Sequence, residues 1–247
     1  MSTQKLNPMS LPEDGRVHIW TAHNNCPDAI PKFLEETLSS AERTKASAFR
    51  FDHHRIQYLF AHGVLRQILA GYCRCIPQEL TFETNDYGKP FVGAQRQEPA
   101  LTFNMSHSEN MVLVALTVIR SIGVDVEFVR PISDLDDIAG RYFIDKERAL
   151  IAAARHDEKE RLFYVCWTRK EACLKAVGKG LSIPLDSFGT AMPLGTSGRH
   201  LSVATESQDA RLWWLSDLAV PREYVGALVI EGSMPQIDYF DWTFPAS

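Results

Sequence analysis

Residues 101–128, Leu101 to Phe128, read LTFNMSHSENMVLVALTVIRSIGVDVEF. Three short runs inside this stretch, Leu101 to Asn104, Met111 to Val118 and Ile122 to Phe128, are rich in β-branched residues and separated by polar or turn-forming ones, which predicts three strands. What flanks them decides the fold class. Upstream, Ile56, Leu59, Phe60, Val64 and Ile68 recur at spacings of three and four, the period of a one-sided buried helix over about 52–72. Shorter helices are expected at 31–38 and 41–49, after an opening strand at 17–20. Downstream, helices are expected near 145–155 and 158–177, then strands near 187–193, 200–204, 211–217 and 223–231. Helices followed by strands, twice over, predict an α+β protein with two halves, residues 1–120 and 121–247. Asn85-Asp86-Tyr87-Gly88-Lys89-Pro90 is dense in turn formers and reads as a loop.

Composition excludes several classes. Of 247 residues, 45% are apolar and 23% charged, close to an ordinary globular protein and far from a disordered or collagen-like chain. No window approaches the roughly 20 apolar residues of a membrane helix, and residues 1–16 lack the apolar core of a secretory signal. A cytoplasmic protein without membrane partners is expected. The 5 cysteines, Cys26, Cys73, Cys75, Cys166 and Cys173, are odd in number and follow no disulfide or zinc spacing, so they read as reduced thiols. The 26 basic and 31 acidic residues divide unevenly: 12 and 12 lie before Ser121, leaving 14 and 19 after it. No basic excess suggests a nucleic-acid partner.

Gly123-Val124-Asp125-Val126-Glu127 lies on the third predicted strand. Alternation places Asp125 and Glu127 on one face and the valines on the other, toward the core. Two acids on an exposed strand are the bland reading; half of a hard-cation site is the functional one. On the predicted helix 158–177, Trp167, Glu171 and Lys175 fall four apart and share a face. Glu171 and Lys175 alone would be a weak surface ion pair, but the Trp on the same stripe suggests a packed face. Glu171 then offers a third carboxylate and Lys175 a cation for a phosphate. The helix runs into the basic turn Gly178-Lys179-Gly180-Leu181. Ser106-His107-Ser108, ending a strand, offers donors to an anion; no nucleophile elbow surrounds it, so a Ser–His hydrolase is disfavoured. Arg43, Lys45, Arg55, His62 and Lys89 form a weaker basic set, each more often an ordinary surface residue.

Tyr87–Pro90 (YGKP), Phe103–Ser108 (FNMSHS), Gly123–Glu127 (GVDVE) and Trp167–Leu181 (WTRKEACLKAVGKGL), in this order and at these separations, resemble the 4′-phosphopantetheinyl transferases of the Sfp, or surfactin-synthetase-activating, type. The similarity runs from roughly Ser40 to Phe188. It implies two similar α+β halves related by a pseudo-twofold in a monomer, with the active site in the cleft between them. It also implies coenzyme A as co-substrate, an apo acyl or peptidyl carrier protein as partner, and Mg²⁺ as cofactor, with Mn²⁺ as an alternative. By the same resemblance Asp125, Glu127 and Glu171 hold the metal and Lys175 contacts the pyrophosphate; Glu171, directly or through a metal-bound water, is then the first choice for general base. Lys45, Arg55, His62, Lys89, Ser106 and His107 fall at coenzyme-contacting positions, and Glu147 at an acid near the metal. Two rivals use the same residues: another Mg²⁺-dependent phosphoryl or nucleotidyl transferase, and a coenzyme A-binding module without activity.

Overall fold

The chain opens with a strand, β1 (Arg16–His23), followed by the short helices α1 (Lys32–Thr37) and α2 (Ser40–Ser47). Ser39 starts α2 through a capping box: its hydroxyl accepts the Glu42 N–H, while the Glu42 carboxylate accepts the Ser39 N–H. The apolar stripe read from residues 52–72 is α3 (Asp52–Cys73), which Arg74 ends in a left-handed conformation. A small hairpin, β2 (Phe82–Thr84) and β3 (Pro90–Val92), leads into β4 (Leu101–Ser108) and β5 (Met111–Val118). β6 (Ile122–Phe128), α4 (Leu135–Tyr142), α5 (Asp145–Ala152) and the long α6 (Lys159–Val177) follow, and then β7 (Arg199–Ser202), β8 (Leu212–Asp217), β9 (Tyr224–Glu231) and β10 (Gln236–Trp242). This computed structural model describes residues 9–25, 29–93, 99–191, 198–202 and 212–244.

Contacts divide the chain into two units. The first takes residues 1–83, 90–119 and 237–247, and the second 84–89 and 120–236. The sequence-based halves 1–120 and 121–247 therefore exchange two pieces: the turn 84–89 packs with the second unit, and the last strand with the first. In the first unit the sheet order is β10-β1-β5-β4, and β5 runs antiparallel to β1 and β4 with Ile19 opposite Ala115 and Ser106 opposite Leu113. Phe60, Val64 and Ile68 of α3 share a core with Phe103, Val114 and Leu116. In the second unit the order is β6-β9-β8-β7, all pairs antiparallel. Ala172, Cys173 and Ala176 of α6 share a core with Leu215, Ala227 and Val229. Both units follow one path: a strand, a long helix, then strands of which the last inserts beside the first.

Besides the hairpin of β2 and β3, which was not expected and whose second strand takes Pro90 from the expected loop, three features differ from the sequence reading. α4 was not expected, although Leu135, Ile138, Ala139 and Tyr142 have helical spacing; eight residues are too few for periodicity to stand out. β10 was not expected because its support comes from the far end of the chain, where Arg16 donates to both oxygens of Asp238, at 2.9 and 2.7 Å. The strand expected at 187–193 is replaced as far as Ala191 by irregular chain after a 3₁₀ turn at Leu185–Ser187. Its backbone groups bond to buried side chains instead of a ladder: Lys170 takes the Leu185 and Phe188 carbonyls, and Glu147 takes the Thr190 N–H. Residues 192, 193, 203, 204 and 211 of the expected strands, and Cys26, lie outside the described residues.

One contact positions everything that follows. A Cβ built on Gly123 would lie 2.1 Å from the Ala172 carbonyl oxygen and 2.3 Å from the Ala176 nitrogen. At this point β6 and α6 touch backbone to backbone, and only a residue without a side chain fits. By alternation, Asp125 and Glu127 share the Gly123 face. The carboxylate face is thus the one turned to α6, while Val124 and Val126 are fully buried on the other side. Gly123→Ala must push the helix off the strand. The expected outcome is a loss on the order of 2 kcal/mol or more, read as a lowered midpoint in denaturant unfolding; a wild-type midpoint would show that the contact is not tight.

Candidate active site

β6 carries Asp125 and Glu127, and α6 carries Glu171 and Lys175. Ala172 and Ala176 face the strand, so Glu171 and Lys175, each one residue earlier, lie at the margin of the same helix face and are half-buried. Lys175 Nζ donates to Asp125 Oδ1 at 2.7 Å, with the Asp125 side chain 6% exposed and that of Lys175 29%. The sequence spacing suggested a Glu171–Lys175 surface pair, but the lysine reaches across to the strand. Burial pushes the Glu171 carboxyl above its ordinary value; the Asp125 charge pushes it further, and Lys175 opposes both. Asp125, Glu171 and Lys175 are therefore electrostatically one group.

Glu127 is half-buried near the end of β6, and its charge is felt at the Tyr164 hydroxyl, which also bonds to Arg130. Among the described residues, no group of three His, Cys, Asp or Glu side chains is assembled that could hold a metal ion. Asp125 and Glu171 nevertheless form a donor set suited to a hard divalent cation: two carboxylates whose charges oppose each other, on rigid elements. Trp167, on the same stripe, stacks on Phe163 with ring planes 12° apart and meets Tyr142 edge-on. Its other side lines an open cavity of about 330 Å³ within this unit, bounded also by Arg130, Ile132, Asp134, Phe163 and Tyr164. The packed face that the Trp implied is present.

The remaining expected residues fall in the first unit, Lys89 and Glu147 excepted. Ser106 is buried and His107 exposed on β4. Lys45 lies over the Tyr58 ring, 5.3 Å from its centre, and Arg55 bonds to Asp52 at the start of α3. His62 packs on Tyr58 and sits 3.4 Å from Glu42. Burial works to raise the Glu42 carboxyl, but hydrogen bonds from His62 and Ser39 and the Arg66 charge outweigh it and hold the group at about 2. Lys89 belongs to the second unit, where its ammonium donates to the Ile122 and Ala176 carbonyls at 2.9 and 3.2 Å.

Comparison with known proteins shows the family. The 4′-phosphopantetheinyl transferase superfamily profile matches residues 121–229, and the N-terminal profile of 4′-phosphopantetheinyl transferase matches residues 28–118. The 4′-phosphopantetheinyl transferase HetI of Nostoc sp. is 35% identical over 216 residues, covering 87% of this chain and 88% of the relative. The chain belongs to the 4′-phosphopantetheinyl transferases. The transferase Sfp of Bacillus subtilis is 33% identical over 155 residues, 63% of this chain and 66% of its own. A holo-(acyl-carrier-protein) synthase from Bacillus anthracis, solved with coenzyme A (3′,5′-ADP), aligns with 46% of this chain and 96% of its own at 22% identity and a TM-score of 0.36. The protein is thus an enzyme that transfers phosphopantetheine from coenzyme A to a carrier protein, chemistry that in this family uses a divalent metal. Among its described residues, no helix is long and apolar enough to cross a membrane.

Sequence reasoning missed the transferase's most buried charges. Lys170, next to Glu171, is fully buried; its ammonium meets the Leu185 and Phe188 carbonyls at 2.6 Å each and Glu147 at 2.9 Å. Glu147, expected near the metal, is also fully buried and accepts from the Thr190 N–H and hydroxyl. Arg169, again fully buried, makes a two-pronged pair with Asp217 at 2.8 and 2.7 Å. No sequence signal separates Arg169 and Lys170 from surface charges.

Because the Glu171 value is raised in the folded protein, the carboxylate form favours unfolding. In metal-free buffer, Glu171→Gln should therefore raise the melting temperature at neutral pH. The gain should disappear as pH falls below the ordinary carboxyl value near 4.5. Thermal unfolding between about pH 4 and 8 checks this, and a destabilised variant at neutral pH would contradict it.

Proposed function

We propose that this transferase is of the Sfp type: a monomeric, cytoplasmic, Mg²⁺-dependent enzyme. It would move the 4′-phosphopantetheine group of coenzyme A onto a serine hydroxyl of an apo acyl or peptidyl carrier protein. The observation that carries the reading is the group formed by Asp125, Glu171 and Lys175 across the β6–α6 contact. Asp125, Glu127 and Glu171 would hold the ion, Mg²⁺ in this reading with Mn²⁺ as the alternative. When bound, it neutralises the pyrophosphate and offsets charge developing during transfer.

The rest falls to the chain's own residues. The serine Oγ forms a bond to the β-phosphorus of coenzyme A, the bond from that phosphorus to the bridging oxygen breaks, and 3′,5′-ADP leaves. The serine proton passes to Glu171. Lys175, held at Asp125, meets the negative charge of the departing nucleotide. Lys45, Arg55, His62, Ser106 and His107 are the proposed coenzyme contacts, of which His107 and Arg55 are exposed enough to reach a phosphate directly; the Lys89 ammonium is taken up by two backbone carbonyls instead. The open cavity beside Trp167, one helical turn before Glu171, has the apolar walls suited to the thiol-ended arm. The likeness to Sfp supports the type.

Incubation with coenzyme A, Mg²⁺ and apo carrier domains, followed by intact mass measurement, tests the reading. A phosphopantetheine-sized increase is expected on fatty-acid, polyketide or peptide-synthetase carriers. Asp125→Ala and Glu171→Gln should each lower turnover by about 10²-fold or more without loss of the folded state. No increase on any carrier, with coenzyme A still bound, would instead identify a binding module. Near-normal turnover in either variant removes that residue from the site.

A further inference from the structure

The proposed chemistry depends on where the last two turns of α6 sit against β6. The turn between β2 and β3 holds them there. α6 ends at Gly178, which is left-handed (φ 74°) and donates its N–H to the Leu174 carbonyl. The carbonyls beyond Leu174 have no partner within the helix, and two of those near the end are met from outside. Asn85 Nδ2 donates to the Gly178 carbonyl at 2.9 Å, and Lys89 Nζ to that of Ala176 at 3.2 Å. The same ammonium donates to the Ile122 carbonyl of β6 at 2.9 Å. One lysine thus joins the end of the helix to the strand, one residue before Gly123.

The turn is shaped to deliver it. Asn85 Oδ1 accepts the N–H groups of Tyr87 and Lys89 at 3.0 and 2.9 Å, the Asn85 N–H reaches the Lys89 carbonyl at 3.0 Å, and Gly88 takes a left-handed φ of 85°. The fit against the helix is close: a Cβ on Gly178 would come within 3.1 Å of Lys89 Cδ and 3.3 Å of Asn85 Nδ2. A cation at a helix C-terminus gains from the helix dipole. That gain does not require burial, and burial is unfavourable enough to push Lys89 down to about 8. An apolar side chain would fill the same space without that cost.

We infer that Lys89 is a positioning residue of the transferase, a clamp that fixes the end of α6 on β6 so that Glu171 and Lys175 stay registered with Asp125. This rests on the proposed function for the roles of those three residues. The clamp acts through two backbone carbonyls and touches no reacting atom. The same contacts explain why residues 84–89, which precede β4 and β5 in the chain, pack with the second unit.

Lys89→Met tests the clamp, with wild-type protein and Asn85→Ala alongside. The expected result is a fall in kcat of about tenfold or more, since small misplacements of reacting groups carry large rate penalties. KM for coenzyme A and Kd for 3′,5′-ADP should stay within about twofold, and the melting temperature should hold or rise. Asn85→Ala, which removes the Gly178 bond and no charge, should lower kcat in the same direction, and it decides the matter should Lys89→Met fail to fold. Weakened coenzyme affinity at unchanged kcat overturns the inference in favour of a direct phosphate contact. Unchanged kcat and affinity overturn it too, as does a loss matched by the unfolded fraction. Amide hydrogen exchange gives a readout independent of activity. Residues 172–178 should exchange faster in Lys89→Met while α3 is unchanged, and equal rates overturn the clamp. Wild-type protein inactive on every carrier would refute the proposed function, and the exchange measurement would still decide whether the clamp exists.

Discussion

The backbone contact at Gly123 is the constraint on which the site depends. A helix packed on a sheet normally stands off by the thickness of its side chains. Here Ala172 and Ala176 present one methyl each, and Gly123 presents nothing. That approach lets a side chain as short as aspartate, on the strand, meet a lysine from the helix at 2.7 Å. Small residues facing the strand also leave their neighbours, Glu171 and Lys175, at the margin of the buried face. They are shielded enough to interact strongly and open enough to meet a substrate.

Three of the cations on α6, at sequence positions 169, 170 and 175, meet the problem of a buried charge in different ways. Arg169 and Asp217 form a two-pronged pair within the sheet-facing core. Lys170 is enclosed by Glu147, two carbonyls and the rings of Phe143 and Phe188. Arg169 and Lys170 are themselves fully buried, so removing a partner of either would strand a charge in the core. Lys175 is different because its own side chain is 29% exposed while Asp125 is buried. A charge needed for chemistry must be able to change partners, and of these three cations Lys175 is the one with an exposed side chain, in keeping with the role proposed for it.

The parts of the site that local pattern governs were legible in the sequence. Strand alternation placed Asp125 and Glu127 together, and four-residue spacing placed Trp167, Glu171 and Lys175 on one face, because both follow from backbone geometry alone. The direction of the strand's acidic face was not legible, since the valines on the other side looked like the core; the glycine at 123 was the overlooked signal. The burial of Arg169 and Lys170 was not legible, because their partners lie far along the chain and burial is a tertiary fact. The same holds for β10, anchored to Arg16 from 222 residues away, and for residues 187–191, whose strand-like composition yields to side-chain acceptors and donors. Lys89 shows the converse: its motif was conspicuous, but its ammonium is bonded to backbone within the second unit.

The two units share a chain path and not a chemistry, and the reason is the thickness of their helix–sheet layers. α3 meets its sheet through Phe60, Val64 and Ile68 against Phe103, Val114 and Leu116, a layer of large side chains that fills the space with apolar volume. Nothing short and polar can bridge such a layer. On β1 the positions that share this core are Trp20 and Ala22, and neither is an acid. α6 meets its sheet through alanines, cysteine and glycine, so short carboxylates on the strand lie within reach of the helix. A repeated path therefore does not predict a repeated site. The difference comes from a few small residues at one helix–strand contact, and those residues are what bring the charges of β6 and α6 together.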